Sequence, residues 1–113
     1  MLKNRIKAMP MLSFDSAVLT GVYIAMTPAA GISHSLTMFK IQNESDVDIL
    51  VSYDNGATDH DIVPAYSTNI YPTQWLAQPT NSIATLAKGT QVWINGNIGN
   101  GMIYLVGYYQ ESI

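Results

Sequence analysis

The stretch Val47-Asp48-Ile49-Leu50-Val51-Ser52-Tyr53-Asp54-Asn55-Gly56, followed by Asp59-His60-Asp61-Ile62-Val63-Pro64, decides the fold. Val47, Ile49, Val51 and Tyr53 alternate with Asp48, Leu50, Ser52 and Asp54. Successive side chains of a strand point to opposite faces, so this period predicts a half-buried strand with Leu50 the one apolar residue on its outer side. Asn55-Gly56 tolerates positive φ and predicts a tight hairpin. The return strand is then residues 59–63, stopped by Pro64, which has no N–H for a ladder.

Working outward, residues 17–26 form an apolar run with Gly21 marking a bend, and residues 36–42 form another around Phe39 and Ile41. Further strands are expected over 66–71, 82–86, 91–95 and 102–110, with turns at 28–32 and through Gly96 to Gly101. No segment carries a 3.6-residue apolar stripe over ten residues, and residues 73–78 have room for one helical turn only. About eight short strands separated by turn chemistry predict an all-β chain, an antiparallel β-sandwich or jelly roll. The expected organisation is an N-terminal arm over 1–16, extended or with a short helix over 1–8, and one β-sandwich domain over 17–113.

Composition narrows the function classes. A chain of 113 residues suits one domain, and it has no cysteine to staple it. Charged residues make up 12%, against about 25% in ordinary soluble domains. A surface so poor in charge suits a subunit packed against neighbours. The longest apolar stretch, from Val18 to Met26, is broken by Thr20 and Gly21 and falls short of the ~20 residues that cross a bilayer as a helix. Ser13, Asp15 and Ser16 interrupt any signal-peptide core.

Lys3, Arg5 and Lys7 are three of the five basic residues; the rest of the chain sets two lysines against eight acids, a net charge of −6. If extended, the arm carries the three cations on one side, ready to clasp an acidic patch on a neighbouring subunit. Nucleic acid is disfavoured as its partner, because three charges are few and no aromatic is interleaved. Met9, Met11 and Leu12 follow as adaptable apolar anchors. In the last strand Ile103, Leu105 and Tyr109 point one way, while Met102, Tyr104, Val106 and Tyr108 point the other. Both faces are apolar, so the second requires cover by a loop, the N-terminal segment or another subunit. Tyr104, Tyr108 and Tyr109 are the candidates for a subunit–subunit face.

Catalytic and metal chemistry finds little footing. In a strand, Asp59 and Asp61 take one face and His60 the other, so the three do not converge on an ion. Asp46, Asp48 and Asp54 lack the spacing of a calcium loop. There is no G-x-S-x-G, no cysteine nucleophile and no phosphate-cradling glycine loop. The expectation is a protein that is not an enzyme and holds no cofactor or metal. Trp75, beside a proline-flanked turn, is the candidate for stacking on a sugar; Trp93, mid-strand, is expected in the core.

Several segments together resemble a recurrent small β-sandwich of tailed bacteriophages: Ile41-Gln42-Asn43, the strand and hairpin from Val47 to Gly56, His60-Asp61-Ile62-Val63-Pro64-Ala65, Lys88-Gly89-Thr90-Gln91-Val92-Trp93-Ile94, and Gly101-Met102-Ile103-Tyr104-Leu105-Val106-Gly107-Tyr108-Tyr109. The likeness covers about residues 36–109. It implies a virion structural protein with no catalytic residue to carry over. The expected role is a capsid decoration (cement) subunit that binds across capsomers. Its expected partners are the major capsid protein or other virion subunits, with itself as a dimer or trimer. Such a protein assembles in the host cytoplasm and resides in the virion. The alternatives are a tail, neck or head–tail connector subunit and, in another class, a glycan- or receptor-binding module.

Overall fold

A computed structural model describes residues 4–71 and 86–112. These form nine strands: β1 (Asn4–Ala8), β2 (Leu12–Asp15), β3 (Ile24–Ala25), β4 (Met38–Asn43), β5 (Ile49–Ser52), β6 (Asp61–Val63), β7 (Ser67–Tyr71), β8 (Trp93–Asn95) and β9 (Met102–Ser112). Every pairing is antiparallel and the pairs are nested. β5 pairs β6, β4 pairs β7, β3 pairs β8, and β1 and β2 both pair β9. The chain is thus one long hairpin whose tip is the loop of residues 53–60. It doubles over so that β4 also meets β9 and β5 also meets β8. Two sheets result, β1/β2–β9–β4–β7 and β3–β8–β5–β6, and they form an antiparallel β-sandwich. Ile41, Ile103 and Leu105 from the first and Ile49, Val51, Val63 and Ile94 from the second are fully buried between them.

The predicted central strand and its return are present, in the register Ile49↔Val63, Leu50↔Ile62, Val51↔Asp61. Asn55 and Gly56 have φ of 61° and 84°, as the dipeptide predicts, but the loop they serve has eight residues. Polar side chains build it. The Ser52 hydroxyl accepts from the Gly56 N–H (3.0 Å) and donates to Asp54 (2.7 Å), while Asp54 accepts from the Thr58 N–H (2.9 Å). The Tyr53 N–H turns to His60 Nδ1 (3.2 Å). These local bonds draw residue 53 out of the ladder, while the His60 N–H still donates across to the Val51 carbonyl (2.8 Å).

The segment expected as an N-terminal arm pairs as an edge strand of the five-stranded sheet. Ala8 lies opposite Tyr108 and Leu12 opposite Leu105, so residues 9–11 face only Val106 and Gly107. This is a β-bulge, with Pro10 at the position that needs no N–H. The extra residue reverses the alternation, which brings Met9, Leu12 and Phe14 all to the core side.

The strand expected over 17–26 is mostly loop. Asp15 caps a short 3-10 turn, Ser16–Val18, by accepting the Ala17 N–H. Gly21 has φ of 84°, and only Ile24–Ala25 pairs. The run expected over 82–86 is described only at Leu86, which bridges Leu36; the turn at 73–78 lies outside the described residues.

Candidate functional site: the outer face of the five-stranded sheet

Residues directly paired across a sheet point to the same side. Ile103, Leu105 and Gly107 of β9 face the core and are buried. Gly107 is needed there, because a Cβ would lie 2.6 Å from Leu36 Cδ1. Met102, Tyr104, Val106 and Tyr108 therefore face outward, each half-buried. The register adds Met38, Lys40 and Gln42 from β4, Thr68 and Ile70 from β7, and Ala8, Ser13 and, at the rim, Asp15 from β1 and β2. Ile6, opposite Gln110, extends the face along β9; it is 59% exposed, and Ile70 is 50% exposed. The face is apolar and tyrosine-rich, with Lys40 at its centre in the row Ile70–Lys40–Val106. Glu44 stands at its lower end, where it accepts from the Gln42 amide. The outer face of an antiparallel sandwich is ordinarily polar, so this one is built for contact.

The expected tyrosine face is split. Tyr104 and Tyr108 share the outer face, but Tyr109 lies on the core side, stacked on His34 at 3.8 Å and 3°. Strand alternation separates them. Of the expected arm residues, Lys3 lies outside the described residues. Arg5 stands opposite Glu111 and Lys7 opposite Tyr109, where β9 has run past the end of its pairing with β4 at Met38↔Tyr108. Met9 is buried and Leu12 packs against the core, so neither is a free anchor; Met11, 57% exposed, stays available. Met9, Pro10 and Leu12 also line a cleft of about 130 Å³ with Pro28, Gly31, Ile32 and Ser33.

Trp75 lies outside the described residues. Trp93 is half-buried and not in the core: it pairs with Ala25 and Ser52 on the outer side of the second sheet, while its neighbours Val92 and Ile94 are fully buried. Its indole N–H is buried without an acceptor among the described residues.

The carboxylates serve the backbone. Asp46 accepts from the Asn100 N–H (2.8 Å), Asp48 from the Ala65 N–H (2.9 Å) and Asp61 from the Ile62 N–H (2.7 Å). Asp54 is held at about 2, chiefly by hydrogen bonds from Ser52 and Thr58. The Tyr23 hydroxyl, which donates to Asp59, is pushed up to about 12 by desolvation first and then by that bond and the nearby charge. Among the described residues no three of His, Asp and Glu gather as metal ligands.

Sequence reasoning missed Ile6, Met38, Lys40 and Ile70 as members of the face. The signal was present in β4, where Met38, Lys40 and Gln42 alternate with the buried Phe39, Ile41 and Asn43. Which strand lies beside which is not written in the alternation. No family model matches the chain, and neither the curated proteins nor the solved structures provide a match.

Proposed function

We propose that this protein is a non-catalytic structural subunit of a bacteriophage virion, a capsid decoration (cement) protein that stabilises the head by binding across capsomers. The observation that carries the proposal is the outer face of the five-stranded sheet, an apolar, tyrosine-bearing surface where a sandwich would ordinarily be polar. The sparse charge of the chain supports it. So does the strand order. Taking β1 and β2 as one interrupted strand, we read the nested pairing as a jelly roll, an architecture that viral capsid domains use. A cement subunit works through buried area, and binding only the assembled shell stabilises that state by linkage.

Electron microscopy of particles with and without the protein, using gold-labelled protein, tests the reading. Regular label over the shell, with shells that break more readily in its absence, is the expected result. Label confined to one vertex or to the tail would make it a neck or tail subunit. No label on any particle would remove the virion reading altogether.

A further inference from the structure

Lys40 and Glu44 have a self-complementary arrangement on the outer face, where Asp15, opposite Met102 at the rim, is a further charge. Lys40 is the central cation, flanked in its row by Ile70 and Val106. Glu44 is four residues further along the chain, one beyond the end of β4, about 14 Å away at ~3.4 Å per residue. The row at Glu44 holds Met102, whose carbonyl accepts the Glu44 N–H. Tyr66, 71% exposed, precedes β7 at that same end. Between the two rows lies that of Thr68, Gln42, Tyr104 and Ser13.

We propose that this face is the contact of a two-fold symmetric dimer with a second copy of the chain. The two-fold axis lies between the sheets and crosses the strands at the level of Gln42. That operation sets each Lys40 over the other copy's Glu44, each Val106 over its Met102 and each Ile70 towards its Tyr66. Tyr104 meets Tyr104 at the centre. The same contact thus gives Lys40 a carboxylate and covers two exposed apolar side chains. An isologous contact of this kind closes on itself, and two sheets of like twist stack face to face in the manner of a sandwich. Lys7 occupies a register position on the other side of its strand from Ile6, so it brings no like charge into the contact. Four strands about 4.8 Å apart, over about 27 Å of their length, give a flat footprint of about 500 Å². A standard interface buries about 800 Å² per partner, so this contact is at the small end of the range, where transient complexes lie.

The pairing rests on reading this face as a docking surface, so on one copy it and shell binding through that face exclude each other; it is measured on isolated protein, which keeps its failure and that of the virion role distinguishable. Sedimentation equilibrium of the full chain gives the dimer dissociation constant. Lys40→Glu and Glu44→Lys are each expected to weaken it about tenfold or more, and the double variant to recover most of the loss. Circular dichroism and thermal midpoints verify that every variant is folded. Since the chain has no cysteine, Gln42→Cys supplies a second measurement independent of the charge variants. A short bismaleimide should link two copies at Cys introduced there, and not at Thr58→Cys on the hairpin loop. A wild-type chain that stays monomeric at millimolar concentration overturns the proposal. So does a folded double variant no tighter than the single ones, or equal linking at both cysteine positions.

Discussion

Asn43 shows how much one side chain organises. It is fully buried at the end of β4. Its amide group lies within hydrogen-bond distance of the carbonyls of Val47 (2.8 Å), Val63 (3.1 Å) and Pro64 (3.2 Å), and its oxygen accepts from the Ser45 N–H (3.0 Å) and hydroxyl (2.5 Å). One residue thereby ties the end of β4 to the entry of β5 and the exit of β6. Removing it takes the acceptor from the buried Ser45 N–H and a donor from three carbonyls, of which Val47 keeps the Ser45 hydroxyl and Pro64 the Ser67 N–H; each buried group left unpaired costs about 1–3 kcal/mol. Asn43→Ala is therefore expected to lower the urea-unfolding free energy by about 2–4 kcal/mol. A loss under about 0.5 kcal/mol would mean that water replaces the amide. Two further residues set the pH response. Asp54 is held at about 2, below its ordinary 3.8, so its contribution is present above pH 4 and fades as pH falls through about 2. Tyr23 is raised from 10 to about 12, so its contribution is complete below pH 10 and is lost as pH rises through about 12. The gap in thermal midpoint between wild type and Tyr23→Phe should be constant up to pH 10 and shrink above it.

At the scale of the element, the N-terminal strand matters most. Its bulge at residues 9–11 lets one strand feed both Met9 and Leu12 to the core, although the two positions differ in parity. Deleting this segment would strip the edge of β9 and open the core, so it cannot isolate a docking role for the basic residues. Point variants separate the two effects. Met9→Ala is expected to cost about 2–5 kcal/mol, whereas replacing Lys3, Arg5 and Lys7 together by alanine should cost under about 1 kcal/mol. If particle occupancy falls in the charge variant at unchanged thermal midpoint, the basic residues contact a partner; unchanged occupancy frees them of that role. The fold at this scale was legible where partners are close in sequence: β5 and β6 are joined by eight residues and carry their own turn signal. It was not legible for β1 and β2, because their partner β9 lies at the other end of the chain. The run over 17–26 misled for a related reason, since Val18 and Val22 look like core residues but are 53% and 60% exposed. Asp15 and Ser16 spend their hydrogen bonds on a local turn and on Gly101.

For the whole molecule, nested pairing makes most contacts non-local. The loop-closure entropy of joining β1 and β2 to β9 must be met before their contacts form. Refolding followed by tryptophan fluorescence is accordingly expected on the millisecond-to-second scale of β-sandwiches; a microsecond phase carrying the full amplitude would contradict it. Among the described residues, the same doubling over leaves the outer face of the five-stranded sheet without polar cover. In that way a topological property becomes a functional one, because a surface of Ile6, Met38, Tyr104, Val106, Tyr108 and Ile70 is assembled from four places along the chain.

The sequence by itself determined the all-β class, the central strand with its positive-φ turn residues, and the two apolar sides of β9, all through period-two alternation and local turn chemistry. Tertiary structure alone decided that the N-terminal segment is a strand with a bulge, that Tyr109 stacks on His34, and that Lys40 and Glu44 share a face with Ile6 and Ile70. Alternation specifies which side of a strand a residue takes. Only the pairing of strands distant in the chain specifies whose side chains stand beside it.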